Sequence, residues 1–168
     1  MDLGLKKGAG GYLLDWGAGP RRGAVGRGGV GIKTAEGDGV TPAGAWPFRR
    51  VLYRADKMDA PKSILPAIPI DEEDGWCDAP NDVNYNKLVQ RPYPSHAESL
   101  WRDDGLYDVV AVVGYNDSPI VKGKGSAIFL HVATPDYAPT NGCIALKKED
   151  LLEALAQLKR GEKLIVTP

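Results

Sequence analysis

Runs of apolar residues along the chain predict several β-strands and very little helix. Tyr12–Trp16 and Trp46–Arg54 carry the β-branched, leucine and aromatic side chains typical of strands. Val109–Val113 is a continuous apolar run, as expected of a strand buried on both faces. Ser126–Val132 repeats this pattern and predicts a second buried strand. The pattern therefore indicates a mostly β domain whose most buried strands lie in the second half of the chain.

One helical pattern lies near the end of the chain, over Glu149–Arg160. Its four leucines fall at i, i+1, i+4 and i+7, which places them on one apolar stripe. Acidic residues begin the segment and basic residues end it, an order that suits the helix dipole, and Gly161 is the expected stop. Lys163–Val166 then closes the chain as a strand. The predicted fold class is mostly β with one late amphipathic helix.

The segment from Asp59 to Trp101 keeps no helical or strand period and is interrupted repeatedly by proline. A long irregular stretch in a compact domain is usually either disordered or functional. This segment contains Trp76, Tyr85, Tyr93 and Trp101, whose large aromatic rings favour burial. We therefore expect an ordered excursion that covers one face of the β core.

A glycine-rich segment, Gly26–Gly31, has a superficial likeness to a phosphate-binding loop. It lacks both the G-x-G-x-x-G spacing and the Gly-Lys-Ser/Thr ending that phosphate binding requires. We interpret it as hairpin turns within the β domain.

Length and composition limit the possible function classes. The chain has 168 residues and 18.0 kDa, enough for a single domain over 1–168 with a core that needs no disulfide framework. Its 21 Gly and 13 Pro exceed average usage and argue against a helical bundle. A net charge of -1 gives no whole-chain reason to expect nucleic-acid binding. The longest apolar run is far shorter than the ~18 residues of a membrane span, so we expect no integral membrane segment.

The two cysteines, Cys77 and Cys143, and two histidines are too few for a disulfide framework. No short spacing such as C-x-x-C indicates zinc, so we expect no metal site. Cys77 lies beside a tryptophan and is expected to be a buried thiol. No secretory signal peptide is visible at the start of the chain.

His131 and Cys143 are the residues whose type and placement could support catalysis. Each has an ordinary alternative, because a histidine or cysteine in an apolar strand is often only packed in the core. Together they form an acyl-transfer unit, since an imidazole can hold a nearby thiol as thiolate. We therefore expect the pKa of the Cys143 thiol to lie below its ordinary value of about 8.5. Gly142 gives a substrate carbonyl room to approach and allows a turn that aims backbone N–H groups at an oxyanion.

These residues stand in patterns that resemble the L,D-transpeptidase catalytic (YkuD-type) domain. That family carries a His, a loop and then Ser/Thr-x-Gly-Cys, as in His131 and Thr140–Leu146 here. Residues 33–44 are similar to the family segment that ends in Thr-Pro-x-Gly. Further motifs resemble a compact proteobacterial branch, so the resemblance covers nearly the whole chain. These are Trp76-Cys77-Asp78, Asn84-Tyr85-Asn86, Leu100-Trp101-Arg102 and Tyr107-Asp108.

The resemblance implies an L,D-transpeptidase-like β-sandwich or barrel and a set of catalytic roles. Cys143 would be the nucleophile, His131 its base and later acid, and the Gly142 and Cys143 amides the oxyanion donors. Thr140 and Asn141 would orient that turn or bind substrate. The chain differs from the common family pattern at Asn141, where a His is usual, and at Ala145, where Arg or Asn is usual.

The implied reaction is cross-linking of peptidoglycan stem peptides, which serve as both donor and acceptor, through a cysteine thioester and without a cofactor. A hydrolase of the same fold, acting as L,D-carboxypeptidase or endopeptidase, is an alternative. A non-catalytic cell-wall-binding domain is another. The substrate implies a periplasmic or cell-wall-associated protein, which we expect to be a monomer.

Substrate contacts outside the catalytic turn are harder to derive. Peptide carboxylates favour arginine, which can bind them through two hydrogen bonds. We select Arg54, with Tyr53 beside it, from the arginines of the strand over Trp46–Arg54. Trp76 and Tyr85 are candidates for a cleft wall, with core packing as the alternative.

Overall fold

A computed structural model describes all residues, 1–168. The chain folds mostly into β-strands, with one helix. The strands are β1 (Leu3–Gly8), β2 (Gly11–Asp15), β3 (Arg21–Ala24), β4 (Val30–Gly31), β5 (Thr41–Pro42), β6 (Gly44–Tyr53), β7 (Ala67–Pro69), β8 (Asp74–Cys77), β9 (Leu88–Gln90), β10 (Ala97–Ser99), β11 (Val109–Val113), β12 (Phe129–Val132), β13 (Ile144–Leu146) and β14 (Lys163–Val166); the helix is α1 (Lys148–Gln157).

The main sheet closes into a barrel. Its strands run in the order β11-β12-β13-β3-β2-β1-β14-β6, with β7 added beside β6. Strand β6 is long enough to pair with β14 through its first half and with β11 through its second half, and this double pairing closes the ring. The expected mostly β fold with a late helix is confirmed, and the barrel is the form it takes.

Two hydrophobic clusters lie on opposite faces of the barrel wall. Side chains alternate between the two faces of a strand, and β6, β11 and β12 accordingly contribute to both clusters. Leu130 and Ile144 point into the barrel core, whereas Phe129 and Cys143 belong to the outer cluster. The outer face of β12 and β13 is therefore an apolar surface, which another segment must shield from water.

The excursion from Asp59 to Trp101 supplies that cover and is ordered, as expected. It contains β7 and a separate antiparallel sheet in the order β10-β8-β9. Trp76 of this sheet packs edge-on against Phe129, with ring centroids 5.2 Å apart. The excursion thus encloses the outer face of the two strands that carry the candidate catalytic residues.

Two predicted element boundaries are wrong. The strand expected over Ser126–Val132 begins only at Phe129, because Ala127 has a left-handed φ of 53° and breaks the extended backbone. The helix ends at Gln157, since residues 159–162 form a hydrogen-bonded turn instead. The basic pair at 159–160 therefore lies beyond the helix, although the acidic first turn and the buried leucine stripe are present. The single helix, α1, is too short to span a membrane.

Candidate active site

A crossover between two parallel strands brings His131 and Cys143 to the same face. Strands β12 and β13 are parallel neighbours, and residues 133–143 form the loop that connects them. His131 is in register with Ala145, and Cys143 lies two residues before Ala145. Residues two apart share a face of a strand, so both side chains face outward beneath the excursion. Both line one cavity of about 560 Å³.

The Cys143 thiol is held by the backbone of the bend before β12. Its Sγ donates to the Ala127 carbonyl at 3.0 Å and accepts from the Phe129 N–H at 3.4 Å. Cys143 belongs to the outer hydrophobic cluster and is also one of the residues that line the cavity. No hydrogen bond joins the sulfur to His131 in this resting arrangement.

His131 is held in one tautomer by its own strand. Its Nδ1 lies 2.9 Å from the Val132 carbonyl oxygen, which can only accept, so Nδ1 carries the proton. The neutral ring therefore keeps its free lone pair on Nε2, as a general base requires. The ring also meets Tyr107 edge-on at 5.3 Å, which fixes its plane.

Burial keeps the two groups uncharged at neutral pH, contrary to the expected thiolate pair. Desolvation lowers the pKa of His131 to about 4 and raises the pKa of Cys143 to about 12. The negative charge of Glu98 adds to the rise in the Cys143 pKa, and the Phe129 hydrogen bond and the positive charge of Lys33 oppose it. The resting state is a neutral thiol beside a neutral imidazole, so proton transfer must accompany attack on the substrate.

We expect alkylation of Cys143 in the free protein to follow the titration of a neutral thiol. The thiolate is the reactive form, so a raised pKa means that the rate should still be climbing at pH 10. The measurement is the pH dependence of iodoacetamide modification by mass spectrometry, made in a Cys77→Ala background because the second thiol is also free. A plateau reached below pH 7 would instead demonstrate a preformed thiolate–imidazolium pair.

The turn before the nucleophile is built by Thr140 and leaves one amide free. The Thr140 hydroxyl accepts from the Gly142 N–H at 3.1 Å and donates to the Cys143 carbonyl at 2.6 Å. Gly142 has a φ of 134°, which favours glycine. The Gly142 amide expected to face an oxyanion is thus occupied, whereas the Cys143 N–H has no partner within the protein. The Cys143 amide is the better candidate donor.

Thr41 supports this turn from the Thr-Pro-x-Gly segment. Its fully buried hydroxyl donates to the Gly142 carbonyl at 2.8 Å and accepts from the Gly26 N–H at 2.8 Å. One side chain therefore joins the glycine-rich segment to the catalytic turn. The sequence motif contained this residue, but only the fold shows what it contacts.

Charged groups surround the mouth of the cavity. Arg27 bonds through its guanidinium to the Asn141 side chain and to the Gly37 carbonyl, and it has no carboxylate partner. Lys33 is buried and paired with Asp38 at 2.6 Å. The excursion contributes Asp78, His96 and Glu98 to the other wall of the cavity, and Arg102 follows directly after the excursion. Such a lining suits a ligand that carries both amine and carboxylate groups.

The family profile of the L,D-transpeptidase catalytic domain (YkuD) matches residues 12–166. The chain belongs to that family. No curated protein and no solved structure matches this sequence. The family acts on peptidoglycan peptides, so the cavity beside Cys143 is a candidate site for L,D-transpeptidase chemistry on such peptides.

The four substrate contacts predicted outside the catalytic turn do not line this cavity. Arg54 is buried, forms a two-point ion pair with Asp56 at 2.8 Å, and stacks on Trp101 with its guanidinium carbon 3.5 Å from the ring centroid. Tyr53 precedes it at the end of β6, also away from the cavity. The prediction that Arg54 and Tyr53 bind substrate is therefore wrong: neither lines the cavity, and the Arg54 guanidinium already bonds Asp56 and the Arg102 carbonyl.

Trp76 and Tyr85 support the cavity from behind instead of forming its wall. Trp76 is buried and donates to the Asn86 side chain at 2.9 Å. Tyr85 is also buried and donates its hydroxyl to the cavity-lining Glu36. Both side chains are therefore packed in the core, which was the alternative to a cleft-wall position. By contrast, Thr140 and Asn141 of the predicted set do line the cavity.

Several cavity residues were not selected from the sequence. Arg102 and Tyr107 line it from the motifs Leu100-Trp101-Arg102 and Tyr107-Asp108, and Glu98 lies outside both motifs. Those motifs carried the family resemblance, which was the only signal for Arg102 and Tyr107, whereas Glu98 had none. Arg27 and Lys33 had no signal beyond their place in or near the glycine-rich and Thr-Pro-x-Gly segments.

Proposed function

We propose that this protein is a peptidoglycan L,D-transpeptidase that forms stem-peptide cross-links through a thioester on Cys143. The observation that carries the proposal is the arrangement at one cavity wall. A thiol lies beside an unpartnered backbone N–H, and a histidine with a free Nε2 lines the same cavity. Family membership supports the same reaction class. The substrate implies that the protein acts outside the cytoplasm, at the cell wall.

Acylation begins when the thiol exchanges its hydrogen bond to Ala127 for one to Nε2 of His131. The sulfur attacks the donor carbonyl carbon, the thiol proton moves to Nε2, and the Cys143 N–H stabilises the oxyanion. The carbon–nitrogen bond then breaks, and the leaving amine takes the proton from the imidazolium. This leaves a neutral imidazole beside a thioester.

Deacylation reverses these roles with a different amine. An acceptor amine attacks the thioester carbon and passes a proton to Nε2, and the carbon–sulfur bond breaks. The thiolate recovers that proton as the cross-linked product leaves. The exposed Arg27 guanidinium, which has no carboxylate partner, is suited to bind a stem carboxylate beside the catalytic turn.

The test is incubation of the pure protein with defined muropeptides, followed by mass spectrometry of the products. New dimers whose linkage requires loss of a donor residue are the expected result. Shortened monomers without dimers would instead assign hydrolysis, as in a carboxypeptidase or endopeptidase. Unchanged muropeptides would favour a cell-wall-binding domain without turnover.

A further inference from the structure

Glu98 differs from the other carboxylates that line the cavity. Asp78 is paired with His96, and Glu36 is held by two hydroxyl groups. Glu98 has no ion-pair partner and accepts a single hydrogen bond, from the Tyr107 hydroxyl. It extends from β10 and is partly buried. A carboxylate removed from water without a cation costs free energy that a bound cation would return.

The surroundings of Glu98 link it to the reacting groups. Tyr107, which holds the carboxylate, also packs edge-on against His131. The positive charge that acts on the Glu98 carboxylate is that of Arg102, whose guanidinium is already bonded to Asp104. Burial raises the pKa of Glu98, and the Tyr107 hydrogen bond and the charge of Arg102 oppose that rise only in part. Glu98 is thus an open acidic position in the cavity that also holds the nucleophile.

We propose that Glu98 binds an ammonium group of the donor peptide and thereby determines donor specificity. This inference rests on the proposed function, in which a stem peptide is the donor at this cavity. An amine of the donor that is not part of a peptide bond is cationic at neutral pH. The ammonium supplies the cation that Glu98 lacks, and its hydrogen bonds to the carboxylate are charge-assisted.

Recognition at Glu98 also assists activation of the nucleophile. The charged groups that act on Cys143 are Glu98, which disfavours the thiolate, and Lys33, which favours it, while His131 and Tyr107 are neutral. An ammonium bound at Glu98 cancels the unfavourable charge and lowers the pKa of the thiol. The correct donor therefore promotes deprotonation of the sulfur that attacks it.

The experiment compares two donors that differ only at the free amine, one unmodified and one N-acetylated. In the wild type, kcat/KM should favour the free amine by at least about tenfold, as expected for a hydrogen bond between charged groups, with a lower KM from binding and a higher kcat from the easier deprotonation of the thiol. Glu98→Gln should bring this ratio close to one. Glutamine still offers an oxygen to the Tyr107 hydroxyl, so the cavity keeps its shape.

Matched variants separate a specific role from a structural one. Glu73→Gln makes the same change at an exposed position of the excursion outside the cavity and should keep the wild-type ratio. A purely structural role for Glu98 would lower both donor rates together and leave the ratio intact, which overturns the proposal. The proposal is also overturned if Asp78→Asn loses the preference for the free-amine donor while Glu98→Gln keeps it. A wild type that consumes neither donor would refute the proposed transpeptidase function itself.

Discussion

Replacement of Cys143 by alanine is expected to lower the rate of muropeptide cross-linking at least about 10⁴-fold. Covalent catalysis ends with the loss of the sulfur, and the remaining binding and oxyanion groups supply only a small part of the acceleration. The readout is dimer formation by mass spectrometry, together with the covalent adduct formed by a carbapenem, an inhibitor class of the family. Both should disappear in this variant.

Cys77 provides the matched control for this substitution. It is the other free cysteine, it is fully buried, and it does not line the cavity. Cys77→Ala removes the same atom from a packed site, so a modest loss of stability is expected with adduct formation retained. Cross-linking that survives in Cys143→Ala, or an adduct that disappears in Cys77→Ala, would contradict the assignment of the nucleophile.

The raised pKa of Cys143 changes how this nucleophile is activated. In a preformed ion pair the thiolate exists before the substrate arrives, and its reactivity depends little on what is bound. Here the buried sulfur is a neutral thiol in the resting protein, because the Phe129 hydrogen bond and the charge of Lys33 offset only part of its desolvation. Reaction then depends on the bound donor, which brings both the carbonyl and, at Glu98, a positive charge. Such coupling limits reaction of the thiol with other electrophiles.

The strands could be predicted from sequence wherever burial imposes a regular pattern. β11 is buried at every position, and its continuous apolar run predicted this. The strand near 126 failed at its start because Ala127 turns the backbone to meet the Asn86 side chain, a contact 41 residues away in sequence. Local patterns carry no information about such a contact. The same limit applies to the helix end, which is set by a turn that Glu162 closes.

The same limit applies to the candidate site. Residue type identifies the reactive side chains, whereas the topology of the sheet determines which of them lie together. Cys143 and His131 could be selected because their residue types are rare in this chain and reactive. That they share a face follows from the parallel register of β12 and β13, which no periodicity reveals. Arg54 failed as a substrate ligand because Asp56, two residues later, already binds its guanidinium. Glu98 could not be selected from the sequence. It lies in the excursion, where no sequence pattern distinguishes residues that line the cavity from residues on the exposed surface.

Gly26→Ala is expected to destabilise the protein by more than about 3 kcal/mol and to displace the catalytic turn. A Cβ at this position would lie 1.9 Å from the Gly39 carbonyl oxygen and 3.0 Å from the Gly142 Cα. These are backbone atoms, so no rotamer change relieves the overlap, and the cost lies at the upper end for overpacked sites. The readouts are the free energy of unfolding in urea and the rate of cross-linking.

The control for this substitution comes from the same glycine-rich segment. A Cβ at Gly31 would meet no atom within 4 Å, and the backbone there does not need a left-handed φ. Gly31→Ala should therefore change stability by less than about 1 kcal/mol and leave cross-linking intact. Equal stability and activity in the two variants would mean that the close packing of Gly26 on Gly142 is not required. A large difference would show why glycine is required at position 26 of this glycine-rich segment. The Gly26 backbone packs directly against Gly142, the residue before the nucleophile, and leaves no room for a side chain.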